Sequence, residues 1–113
     1  MSERSPPKTA RIRELNDQLR REHAGGRIVI TAGVNALGTE EMCCVLAAIS
    51  AFDNFSEDND PLDEHDCAVL TVSGRPIIFK IDYFDRQLVY HSPDASDPAV
   101  TMRVLTVMLA EEY

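Results

Sequence analysis

The densest chemistry in this chain lies in Asp58-Asn59-Asp60-Pro61-Leu62-Asp63-Glu64-His65-Asp66, which holds five carboxylates, one imidazole and no Lys or Arg. It sits inside a longer acidic stretch, Asp53 to Asp66, with seven carboxylates in fourteen residues. Three kinds of chemistry compete for it. Hard divalent cations accept carboxylates and an imidazole extends the choice to Mn, Fe or Zn. Asp60, His65 and Asp66, joined by Asp82 or Asp85, are therefore the alternative metal set for a hydrolytic site. The spacing does not match an EF-hand: counted from Asp58, neither the central Gly nor the bidentate Glu falls where the calcium loop needs it. The second reading is structural, with Asp58, Asn59 and Asp60 capping the loop through bonds to their own backbone and His65 anchoring its return. The third is recognition, with spaced carboxylates meeting a partner's row of Lys and Arg as phosphates would. All three leave the loop exposed.

Other chemistries have less to stand on. There is no GxSxG elbow and no Cys-then-His signature, and His23, His65 and His91 are far apart in the chain. Gly25-Gly26 precedes a strand-like segment, where a phosphate cradle would require a helix N-terminus. Lys80 and Asp82 share one face of an alternating strand and pair more readily with each other than they serve as acid and base. Cys43, Cys44 and Cys67 have no zinc-knuckle or disulfide spacing and read as small buried thiols. No metal and no cofactor are assigned.

Charge is distributed unevenly. Residues 1–27 carry seven Lys/Arg and four Asp/Glu, whereas residues 28–113 carry four and fifteen. A basic arm thus precedes a strongly anionic body, whose field repels nucleic acid and membranes and attracts cationic proteins. Arg11, Arg13, Arg20, Arg21 and Arg27 are interleaved with Glu14, Asp17 and Glu22 and lack aromatic companions, so the arm reads as a solvated helix face. Docked on the body of a second copy, it would give a homodimer. The expected partner is a basic protein or nucleoprotein complex, without direct nucleic-acid or membrane contact. The expected partner-binding residues are Asp53, Glu57, Asp58, Asp60, Asp63, Glu64, Asp66, Asp82 and Asp85.

The elements that must position these groups follow from pattern. A chain of 113 residues with 44% hydrophobic content supports one domain, spanning 1–113, with 1–7 as a flexible tail. Its longest apolar run, Met42 to Ile49, is too short to cross a bilayer, and no secretory or transit signal is expected, so the cytoplasm is the expected compartment. Ile12, Leu15 and Leu19 predict a helix from about Lys8 to His23, stopped by Gly25-Gly26. Arg27 to Thr31 predicts a strand and Gly33 to Gly38 a loop. Thr39 predicts the N-cap of a second helix whose Met42, Val45, Leu46, Ile49 and Phe52 face the core. Ala68 to Val72, the alternating Ile77, Phe79, Ile81 and Tyr83, and Leu88 to His91 predict a three-strand antiparallel meander. Asp97-Pro98 predicts the start of a closing helix with Val100, Val104, Leu105, Met108 and Leu109 on its apolar face. The expected class is α+β, a small antiparallel sheet of meander plus one further strand packed with about three helices, in the order α-β-α-β-β-β-α.

The string also carries a resemblance. Its parts are Ile30-Thr31 with Gly33 and Leu37-Gly38, Phe52-Asp53 with Asp58-Asn59-Asp60-Pro61 and Glu64-His65-Asp66, and Lys80-Ile81-Asp82-Tyr83 with Asp85. Ser92-Pro93-Asp94, Asp97-Pro98, Arg103-Val104-Leu105-Thr106 and Glu112-Tyr113 continue it. From about Arg11 to Tyr113 the chain resembles a bacterial family of small proteins of unknown function. The resemblance implies an alphaproteobacterial type of chromosome, plasmid, phage or integrative element as the setting. From that setting follows one class of function, inhibition of a host defence complex in the anti-CRISPR or anti-restriction manner. Cys67-Ala68 departs from the resemblance, which would place an aromatic and a glycine there. The resulting order of readings is a non-enzymatic acidic interaction module, then a metal-dependent enzyme, then a homodimeric structural protein.

Overall fold

A computed structural model describes residues 6–113; residues 1–5 of the expected tail lie outside the described residues. The elements run α1 (Pro7–Glu22), β1 (Gly26–Ile30), α2 (Ala32–Asn35), α3 (Thr39–Ala51), β2 (Cys67–Val72), β3 (Arg75–Phe84) and β4 (Met102–Leu109), with a closing 3-10 turn at Ala110–Glu112. The four strands form one sheet in the order β1-β4-β3-β2. The class is α+β, and β2, β3 and β4 make an antiparallel meander to which β1 adds in parallel beside β4.

Two predicted elements change identity. The segment expected to close the chain as a helix is β4, and it pairs along its length with β3, Ile81 opposite Leu105 and Phe79 opposite Val107. Leu88 to His91, expected as the third meander strand, is a turn joined to β3 by a single bridge from Phe84 to His91. Asp85 explains that turn: its carboxylate accepts the backbone N–H groups of Gln87, Val89 and Tyr90, which holds the segment away from a ladder. The expected loop at Gly33 to Gly38 contains the short helix α2, with Thr31 at its N-cap and its hydroxyl accepting from Val34 N. Gly38, not Thr39, caps α3.

The helices lie against one face of the sheet. Leu19, Val34, Val45 and Ile49 pack on Ala68, Val72, Ile77, Phe79, Ile81, Leu105 and Val107 in one apolar cluster. The alternation of β3 sets this face, because residues two apart in a strand point the same way. The opposite face leaves Val29 and Val69 exposed. Where α1 meets the sheet, the fold depends on Gly26: a Cβ there would lie 2.6 Å from the Arg103 carbonyl oxygen and 2.9 Å from Leu19. The helix has already ended at His23, in the left-handed conformation, so Gly26 serves close approach to β4 while the stop falls three residues earlier.

Candidate functional site

The acidic stretch is stitched to α1, and its residues divide into three groups. Asp60, expected to be exposed, is fully buried and accepts the backbone N–H groups of Glu64 (3.2 Å) and His65 (3.2 Å). Asn59 accepts from Ser56 N at 2.7 Å and donates to Asn54 O at 2.8 Å. These side-chain bonds let the chain turn through two residues at positive φ, Asp63 and His65, without leaving buried amides unpaired. The expectation of a wholly exposed loop therefore fails, because carboxylates that hydrogen-bond the backbone can be buried where isolated ones cannot.

Two of the N-terminal arginines, Arg13 and Arg20, turn inward, contrary to the solvated face expected of them, while Arg11, Arg21 and Arg27 are exposed as expected. Arg13 donates to both the carbonyl and the carboxylate of Asp63, at 2.9 and 2.8 Å. Arg20 is buried and donates to the carbonyls of Ile49 (2.8 Å) and Phe52 (2.6 Å) and to Asp17 (2.8 Å). Helix α3 ends here without a basic residue of its own, so Arg20 supplies the donors its last carbonyls need. His65 lies flat on Phe55, centroids 3.9 Å apart and planes within 7°, with Nδ1 2.9 Å from Asp17. Phe55 in turn faces the Arg20 guanidinium, 5.2 Å from the ring centre.

A second buried polar chain crosses beneath. Arg103 Nε donates to Asn16 Oδ1 at 2.9 Å, and Asn16 donates to the Glu64 carbonyl (3.0 Å) and the Tyr83 hydroxyl (2.8 Å). The Tyr83 hydroxyl donates to Glu64 Oε1 at 2.8 Å, and the Arg103 guanidinium stands over its ring and donates to the Ala95 carbonyl. Burial first, and then the hydrogen bond to Glu64, push the Tyr83 phenol far above its ordinary range. Asn16 belongs to no sequence motif, and Arg103 enters the sequence reading only within the Arg103-Val104-Leu105-Thr106 string of the resemblance, with no role attached. Their one signal is a buried amide on the apolar side of α1, which only the fold reveals.

Three ligand atoms from Asp60, Asp63 and His65 lie within 4.8 Å of one another, a grouping that takes Asp63 where the sequence suggested Asp66. Two carboxylates and an imidazole suit a divalent metal by donor type. Arg13 on Asp63, two amides on Asp60 and Asp17 on His65 Nδ1 already serve these groups as an internal clamp.

Asp66 lies elsewhere. It lines a cavity of about 300 Å³ with Ile81, Asp82, Tyr83, Phe84, Val89, Tyr90 and His91. Burial raises the Asp66 carboxyl, and the charges of Glu64, Asp60 and Asp82 raise it further. Asp82 is paired with Lys80 at 2.5 Å. Asp85 is held in its turn, while Asp53, Glu57 and Asp58 remain exposed on the loop. Of the cysteines, Cys43 and Cys44 are exposed and Cys67 half-buried, so the expected buried thiols are absent, and burial raises the Cys67 thiol.

One family model matches residues 30–112 of the chain. No curated protein and no solved structure matches it. Since the match covers α2, α3, the acidic loop and all strands but most of β1, the chain belongs to the family described as Protein of unknown function (DUF3768).

Proposed function

We propose that this chain is a non-enzymatic acidic interaction module that binds a basic protein or nucleoprotein complex in the cytoplasm. It would compete there with nucleic acid for a basic groove, as an anti-CRISPR or anti-restriction inhibitor carried on a mobile element does. The observation that carries the reading is the division of charge made by folding. Arg13, Arg20 and Arg103 are spent on internal partners, while Asp53, Glu57 and Asp58 stay exposed on one loop. Such a surface presents anions to a cationic groove at little desolvation cost and speeds encounter. Asp60 and Asp63 drop out of the partner set, since both are engaged inside the protein.

The test is displacement. Purified chain is titrated into a defined RNA-guided nuclease or restriction complex holding labelled DNA, and anisotropy is followed. Release of DNA that weakens at least roughly tenfold on combining Asp53→Asn, Glu57→Gln and Asp58→Asn supports the reading. No release at excess chain, or release indifferent to the triple substitution, sinks it.

The grouping of Asp60, Asp63 and His65 favours a second reading, a divalent-metal protein. Calorimetry with Mn²⁺ and Zn²⁺ decides it: no heat at millimolar ion removes it. In a third, Val29 and Val69, exposed at the two edges of the sheet's other face, join a homodimer, which light scattering tests.

A further inference from the structure

Strand β3 is longer than the neighbours on its outer edge. Strand β2 begins at Cys67 opposite Lys80, and the Asp66 carbonyl accepts from Ile81 N at 2.7 Å. The chain rejoins the same edge at Tyr83, whose carbonyl accepts from Ser92 N at 2.9 Å. Between these two ties lies the cavity of about 300 Å³. That volume is at the small end for ligand sites, suited to one side chain and too tight for a large cofactor.

We infer that this cavity receives an arginine side chain of a basic protein partner, its guanidinium bound by Asp66 and laid against Tyr90. The inference deepens the interaction-module reading and rests on it for the identity of the partner. Among the described residues no Lys, Arg or His lies in ion-pair range of Asp66, whereas neighbouring Asp17, Asp63 and Asp82 each have a cation. Asp66 is a half-buried carboxylate crowded by Glu64, Asp60 and Asp82, and burial with those charges disfavours its anion until a cation arrives. The walls suit a planar cation. Tyr90 is 74% exposed and Val89 63%, held outward by the Asp85 turn, and His91 meets Tyr83 edge-on at 6.3 Å between centroids. A guanidinium stacks on aromatic faces and forks onto a carboxylate, and is more weakly hydrated than an ammonium, which favours arginine over lysine.

The experiment is an NMR titration of ¹⁵N-labelled full chain with Nα-acetyl-arginine amide, and with Nα-acetyl-citrulline amide as the uncharged isostere. The expected result is saturable shifts confined to the amides of Asp66, Tyr83, Tyr90 and His91, with citrulline binding at least roughly tenfold weaker. Asp66→Asn and the exposed Tyr90→Ala should each weaken arginine binding similarly, and Asp58→Asn should not. Absence of shifts, equal binding of citrulline, or indifference to both pocket substitutions overturns the inference. The two readings fail separately. Displacement of DNA that ignores Asp66→Asn and Tyr90→Ala, with no arginine binding, removes the pocket and keeps the module. Arginine binding without any displacement keeps the pocket and removes the inhibitor.

Discussion

Arg20 donates to the carbonyl of Phe52, thirty-two residues away, at 2.6 Å, and thereby closes the end of α3 with a side chain from α1. The guanidinium is fully buried, with Asp17 as its counter-charge. Removing it would strand the Phe52 carbonyl, weaken the satisfaction of the Ile49 carbonyl and leave Asp17 with only its contact to His65 Nδ1. Arg20→Ala should therefore destabilise the protein by about 3–5 kcal/mol. Arg20→Lys should recover only part of this, because an ammonium cannot hold the same fork. Urea denaturation measures both, and a loss under ~1 kcal/mol for Arg20→Ala would contradict the geometry.

Tyr83 joins Asn16 to Glu64 through its hydroxyl. Tyr83→Phe should cost about 1–2 kcal/mol, since Asn16 and Glu64 then lose a buried partner. Because burial pushes the phenol above its ordinary range, the same substitution should leave the folded protein's tyrosinate absorbance step at the ordinary tyrosine pH unchanged. A reduced step would show Tyr83 ionising.

Glu112 accepts from the Thr31 hydroxyl (2.6 Å), Gly33 N (3.0 Å) and Leu109 N (2.8 Å). A Cβ on Gly33 would come within 2.6 Å of that carboxylate, so Gly33→Ala and Glu112→Ala should attack one contact. Each should lower the melting temperature, and the double variant should lose less than the two losses combined. The Thr31 hydroxyl, with the two amides, holds the carboxyl below its ordinary value. Its stabilisation is thus present above the unfolded pKa and lost as pH falls through the lower folded value. Glu112→Gln should flatten that acid limb of the melting curve.

For Asp66 the sign is opposite. Burial raises its folded pKa above the unfolded value of 3.8, so the native state holds the proton more tightly and the penalty grows as pH rises between the two. Asp66→Asn should stabilise the protein at neutral pH, with the gain vanishing below the unfolded pKa. Stability measured at both ends of that window checks it, and a loss at neutral pH would be the wrong sign.

Thiol titration of the native chain should resolve two fast groups, Cys43 and Cys44, and one slow, Cys67, whose thiolate is disfavoured by burial. Single Cys→Ser variants assign the phases.

The parts legible from sequence were those with one polar and one apolar side. Helices α1 and α3 lie within a residue or two of expectation, and Ile77, Phe79, Ile81 and Tyr83 do line the core face of β3. Strand β4 was misread because it is central. With Arg103, Leu105 and Val107 on one face and Val104 and Met108 on the other, its apolar residues follow no single period, and a subset falls at helical spacing. The β-branched run of Val100, Thr101, Val104, Thr106 and Val107 was the signal that could have decided it. Composition identified the acidic loop but not its fate, since Asp60 is buried by amides of its own loop and Asp63 meets an arginine fifty residues earlier. Likewise Asn16 and Arg103 meet across eighty-seven residues, beyond what any local spacing encodes.

The place of β4 between β1 and β3 also orders events in time. During synthesis, β2 and β3 can pair as a hairpin as soon as they emerge, but β1 has no neighbour until residues 102–109 have left the ribosome. The nascent chain must therefore wait with its first strand and apolar sheet face unpaired, an interval in which a chaperone or a neighbouring chain can compete for them.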